Sequence, residues 1–240
     1  TNSEIHFKGS GKTDGGLEYG LKIELEGDGG DNNDDADAVG NAAAGADETS
    51  VYISGAFGRI DLGNQDNAAD PEIDGQVYGV YGQAGATDNG MQDLWGPAGG
   101  ANTALTENAL TDGSDAPMIM YTSPRIAGVQ GKVSYAPGDG IYLRMWGANV
   151  NTSHKLAGVG VKLNGTVVHA NLTTKADTDL YNDLNGYTIG MALDWEGVKF
   201  EVGYARQHDG DFNTGDSDEA FEVGIGYGQG PWAVNVEYRS

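Results

Sequence analysis

Residues 67–115 hold Asp70, Glu72, Asp74, Asp88, Asp93, Glu107, Asp112 and Asp115, with no lysine or arginine among them. Carboxylates this dense can draw cations from water or hold a divalent metal without breaking a covalent bond. A second set of oxygen ligands, Asp209, Asp211 and Asn213, alternates as the opening of a calcium loop does. That loop type also wants glycine at its sixth position and glutamate at its twelfth, where this chain has Thr214 and Ala220. Residues 28–37 form a further acidic cluster. Calcium is the ligand such loops would take; solvated surface loops account for the same residues without it. Covalent catalysis has less to work with. His6, His154, His169 and His208 are scattered, with no HExxH pattern, no nucleophile elbow and no cysteine. Gly11-Lys12-Thr13 resembles the end of a phosphate-binding loop, but His6 stands where its first glycine belongs. No enzyme is expected.

Something must position the acidic stretch. Structureless connections beyond about 12–15 residues are uncommon in compact domains. This one also carries Val77, Tyr78, Val80, Tyr81, Leu94 and Trp95, more apolar surface than a tether needs. It reads as a loop packed inside something hollow, with a surface insertion as the alternative. Tyr78, Tyr81 and Trp95 would give a sugar-stacking track if the protein selects one substrate.

The surrounding chain alternates with period two, the mark of strands with one apolar and one wet face. Leu17, Tyr19, Leu21, Ile23 and Leu25 stand against Glu18, Lys22, Glu24 and Glu26. Val51, Ile53 and Phe57 precede a turn at Gly58, and Ile60 and Leu62 follow it. Val129, Val133 and Tyr135 lie beyond Ser123-Pro124-Arg125. Val159, Val161 and Leu163 lead to Asn164-Gly165, a two-residue hairpin signal, and Val168, Ala170 and Leu172 continue from it. Four further runs centre on Ile189, Val202, Ile225 and Val236.

Connections then alternate short and long. Tight turns fall at 13–16, Gly58, 124–128, 164–165, 196–197 and 228–231; long polar connections fall at 27–48, 67–115, 175–184 and 208–218. In an up-and-down antiparallel sheet every second connection lies at the same end. One rim therefore carries the tight turns and the other the long loops, the layout of a transmembrane β-barrel. Residues 140–150 also alternate, but a strand there would move the later long loops to the wrong rim. Residues 137–154 are accordingly expected as a long loop, and about 13 strands are visible where barrels of this kind need an even number. Tyr19, Phe57, Trp195, Phe200, Tyr227 and Trp232 share the apolar parity near the tight turns, as an interfacial aromatic girdle would.

Composition agrees. The 240 residues include 40 glycines and 12 tyrosines and are 38% hydrophobic, a length that suits one large all-β domain. A net charge of −23, from 36 acids against 13 bases, argues against a nucleic-acid partner. No apolar run is long enough for a transmembrane helix, which a β-barrel does not need. The other class of protein with these properties is a soluble secreted β-sandwich or solenoid that binds calcium or glycans.

The chain resembles the general bacterial outer-membrane porins of the alphaproteobacterial type. The resemblance rests on residues 48–66 (ETSVYISGAFGRIDLGNQD), on 120–129 (MYTSPRIAGV) after the long loop, and on 2–20, similar to the family's second hairpin. It covers roughly the first 135 residues by motif and the rest by pattern. It implies an all-β antiparallel barrel of about 16 strands enclosing an aqueous channel. It also implies a homotrimer in outer-membrane lipid that passes small hydrophilic solutes and ions. Residues 1–240 would be one barrel domain incomplete at both ends, and 67–115 would be the loop that folds inward and narrows the lumen. Asp70, Glu72, Asp74, Asp88 and Asp93 are then the constriction acids. The facing wall bases are Lys8, Lys22 and Lys132 at mid-height, with His6 and Arg59 nearer the tight turns. Excess acid predicts a weak cation preference.

Overall fold

A computed structural model of the chain describes residues 4–26, 46–69, 116–137, 142–172, 184–208 and 217–239. Twelve strands form one sheet in which each pairs with the next. They are β1 (Glu4–Lys12), β2 (Glu18–Glu26), β3 (Ala46–Gly55), β4 (Gly58–Gln65), β5 (Ala116–Thr122) and β6 (Val129–Ala136), then β7 (Tyr142–Leu156), β8 (Val159–Leu172), β9 (Leu184–Trp195), β10 (Val198–His208), β11 (Ser217–Gln229) and β12 (Trp232–Arg239). Every pairing is antiparallel, as short return connections require.

The two faces differ sharply. Register runs Leu21–Val51–Leu62–Ile119–Tyr135–Trp146 across β2 to β7, an unbroken apolar row on one face. That face is open: Val51 is 53% exposed, Ile189 60% and Ile225 54%. The opposite face buries polar groups, with Asn149 1% exposed and Lys132 5%. A water-soluble sheet protein does the reverse with its long apolar side chains. Leu21, Val202 and Val223 lie half-exposed or exposed on this single sheet. A sandwich would bury them against a second sheet, and among the described residues there is one sheet only.

Connections 13–17, 56–57, 123–128, 157–158, 196–197 and 230–231 lie at one end of the strands, and the strand ends that flank 27–45, 66–115, 137–141, 173–183 and 209–216 lie at the other. Three of the tight turns place an alanine or glutamate at φ 49° before a glycine at φ 82–91°: Ala127-Gly128, Ala157-Gly158 and Glu196-Gly197. Positive φ at both central residues is the type I′ geometry, whose twist matches that of the flanking strands.

The expected one-rim layout is therefore present, with one stretch reassigned. Residues 137–154 are not a long loop, because β7 runs through Tyr142–Leu156. Nor does the chain turn at Asn164-Gly165, which lies inside β8; the hairpin closes at Ala157-Gly158. With the alternating run at 140–150 counted as β7, merging the two expected strands into β8 takes about 13 to twelve among the described residues, and the alternation of connections is preserved. Val168 and Ala170 consequently face the polar side, and Val167 takes the apolar parity. Asn-Gly is the strongest local hairpin signal, yet it lost here to register. Asn149 Nδ2 donates to Asn164 Oδ1 at 2.9 Å across β7–β8, which satisfies the side chain without a turn.

Candidate functional site

The polar face gathers the basic side chains that alternation assigns to it. Lys22, Arg59 and Lys132 line one recess of about 610 Å³, together with Glu48, Asp61 and Asp66. Lys22 bridges two carboxylates: its Nζ lies 2.7 Å from Glu24 Oε2 and is also ion-paired to Glu48. Arg59 Nε donates to both carboxylate oxygens of Asp61, at 2.8 and 2.9 Å. Its guanidinium carbon lies 3.8 Å from the Tyr52 ring centroid, a stacked cation–π contact. His6 Nδ1 is 3.0 Å from Glu24 Oε2. Lys8 is exposed and stands opposite Lys22 in the β1–β2 register.

Two corrections follow. His6 is not near the tight turns: it pairs with Glu24 at the end of the hairpin away from 13–17, and only Arg59 of the two lies where expected. The wall is also not a row of bare bases, because acids from the same strands and from β3 hold Lys22 and Arg59. Two of these pairs were readable, since Lys22/Glu24 and Arg59/Asp61 share a face at i, i+2. Glu48 needed the β2–β3 register, which no local pattern gives.

Farther along the same face runs a chain of amides. Arg125 Nη2 donates to Asn151 Oδ1 at 2.8 Å, Asn151 Nδ2 to Asn149 Oδ1 at 3.0 Å, and Asn149 to Asn164. The Thr166 and Thr188 hydroxyls meet at 2.6 Å. The three asparagines and two threonines are buried and mutually satisfied, so this part of the wall is rigid rather than reactive.

The described root of the acidic stretch also lies on the polar face. Asn67, Ala68 and Ala69 are buried; Ala68 N donates to Ser134 Oγ at 2.8 Å and Ala69 N to Asn67 Oδ1 at 2.7 Å. Ala69 joins Met118, Ala136, Met145, Val168 and Ala170 in an apolar cluster. Asp70, Glu72, Asp74, Asp88 and Asp93 lie outside the described residues, as do Tyr78, Tyr81 and Trp95 and the calcium candidates Asp209, Asp211 and Asn213. Among the described residues no three histidines or acids are grouped to hold a metal.

The apolar face carries aromatic residues at two levels. Near the tight turns Tyr19, Phe57, Trp195, Tyr227 and Trp232 are exposed, and Tyr121 Oη donates to Phe57 O at 2.7 Å. Toward the other rim stands a second set: Tyr135 beside Trp146, Trp146 5.8 Å from His169, and Tyr187 6.0 Å from Tyr204. Alternation alone places Tyr135, Tyr187 and Tyr204 on the apolar parity, and Trp146 joins them because residues 142–156 form β7.

An apolar band between two aromatic rows, with polar groups on the other face, is the surface of a transmembrane barrel. The profile of the Gram-negative porin family matches residues 1–240. The chain belongs to that family. A porin of Rhodobacter capsulatus is 31% identical over 122 residues, which cover 51% of this chain and 33% of that porin, so the match spans a third of the relative's length. An anion-selective porin from Comamonas acidovorans superposes over 100% of this chain and 68% of its own, with a TM-score of 0.64 at 17% identity. At that identity the likeness is one of fold, and the fold is an antiparallel porin barrel. Gram-negative porins are outer-membrane proteins that act as passive channels rather than enzymes. In barrels of this family an apolar face of this kind is turned to lipid and the polar face to the lumen. Barrels of this kind have short turns at the periplasmic rim and longer loops at the extracellular one.

Proposed function

We propose that the protein is a water-filled diffusion pore for small hydrophilic solutes and ions, assembled as a homotrimer and weakly selective for cations. The observation that carries this reading is the inner recess: a polar cavity on the lumen wall whose fixed charges are held by ion pairs. Lys22 and Arg59 are each tied to carboxylates, so their positive charge is balanced within the recess. Fixed acids in a narrow low-dielectric passage favour cations, and the chain carries 36 acids against 13 bases. The constriction acids of the 67–115 connection, Asp70, Glu72, Asp74, Asp88 and Asp93, would face this wall. The similar Comamonas porin is anion-selective by name, so the sign of the preference is the discriminating quantity.

The test is the zero-current potential of the purified protein in a planar bilayer under a KCl gradient. Stepwise conductance with potassium more permeant than chloride is expected. A potential of the opposite sign overturns the preference, and absence of conductance steps overturns the pore. A heat-resistant oligomer in detergent is expected for the trimer.

A further inference from the structure

The root of the 67–115 connection meets the wall at one unusual position. The chain leaves β4 at Gln65 and passes the inner side of β5. It is then buried as Asn67-Ala68-Ala69 against β6 and β7. Beneath it lies Gly147, paired with Ser134 on β6 and Val168 on β8. A Cβ at Gly147 would stand 2.7 Å from Asn67 Oδ1, 3.1 Å from Ser134 Oγ and 3.2 Å from Ala69 N. No real side chain tolerates the first distance, and the Asn67 carboxamide has little freedom to move, since it also accepts the Ala69 amide. Gly147 φ is not in the left-handed range, so the backbone alone does not call for glycine there. What calls for it is the close approach of the connection's own backbone.

We propose that Gly147 and Ser134 form a notch that positions the root of the 67–115 connection on the lumen wall, and with it the constriction. Ser134 supplies the hydroxyl that satisfies the Ala68 amide, and Gly147 supplies the space. The apolar ring of Met118, Ala136, Met145 and Val168 excludes water from both. An amide bonded in such a dry pocket costs free energy to release, because the freed N–H has no other partner there. This deepens the pore reading and rests on it for the word constriction; the notch itself rests on the contacts above.

Hydrogen exchange on the whole protein in detergent separates the two. In the unaltered protein the amides of Ala68 and Ala69 should exchange slowly. Gly147→Val should speed them at least tenfold while 116–122 and 142–156 keep their protection, and Ser134→Ala should give a smaller increase of the same kind. Unchanged exchange at Ala68 and Ala69 in both variants overturns the notch. A loss of protection along 142–156 as well would make Gly147 a general barrel residue and would also overturn it. Single-channel conductance then reads the constriction. Deletion of residues 75–110 should raise conductance, and Gly147→Val should shift it in the same direction by a smaller factor. If the deletion leaves conductance unchanged, the constriction reading fails while the exchange result still decides the notch. If the deletion raises it and Gly147→Val does not, the notch is not what positions the constriction.

Discussion

Lys22 sits between Glu24 and Glu48, both buried, and bridges the two acids. Its removal leaves two carboxylates without their shared counter-charge. Lys22→Met should therefore do two things: strengthen the cation preference of the zero-current potential, and lower unfolding stability by about 1–3 kcal/mol, the usual cost of stranding a buried polar partner. Glu48→Gln should weaken the preference. A chloride-leaning shift from Lys22→Met would mean the cluster does not face the ion path. These pairs show how far single residues were legible. Period-two alternation put Lys22, Arg59 and Lys132 on the wet face, and the recess contains all three. The counter-charge from Glu48 came from a neighbouring strand and could not be seen without register.

At the level of strands and turns, β7 and β8 are where local signals misled. Asn164-Gly165 has hairpin chemistry, while Ala157-Gly158 is a weak turn by composition, yet it is Gly158 that takes φ +91°. A side chain there is strained by about 1–2 kcal/mol. Gly165 lies in ordinary strand conformation, where an added Cβ would meet nothing closer than the Thr188 carbonyl oxygen at 3.8 Å. Gly158→Val should thus destabilise measurably in urea titration, and Gly165→Val should not; the opposite ranking would restore the hairpin at 164–165. The choice was settled by partners remote in sequence: Asn149 for the Asn164 side chain, and the apolar cluster at the loop root for Val168 and Ala170. The rest of the strand pattern needed no such help, because an uninterrupted alternation over eight or more residues admits only one pairing parity.

For the molecule as a whole, the inverted distribution of polarity makes a test of what surrounds it. Met191 lies midway along the apolar face of β9, between Tyr187 and Trp195, and pairs with Leu163 and Val202. Met191→Arg should cost about 2–4 kcal/mol in vesicle-bound unfolding experiments, and Trp195→Arg about 0–1, the depth dependence of charge on an outer-membrane barrel. Equal costs would argue that the apolar face does not meet lipid. The one-sided arrangement of connections was legible because loop composition and length survive any error in a single strand. The path of the long connection was not, since its root is held by Ser134 and Gly147, neither of which looks unusual in sequence.

The two aromatic rows also set a length. From Tyr187 to Trp195 the strand advances eight residues, about 26 Å at ~3.3 Å each, or roughly 20 Å of height at the ~40° inclination of such strands. Bacterial outer membranes are thinner than average bilayers. The rings thus work as a ruler cut for a thin membrane, and a thicker one would have to pinch inward around this protein or exclude it.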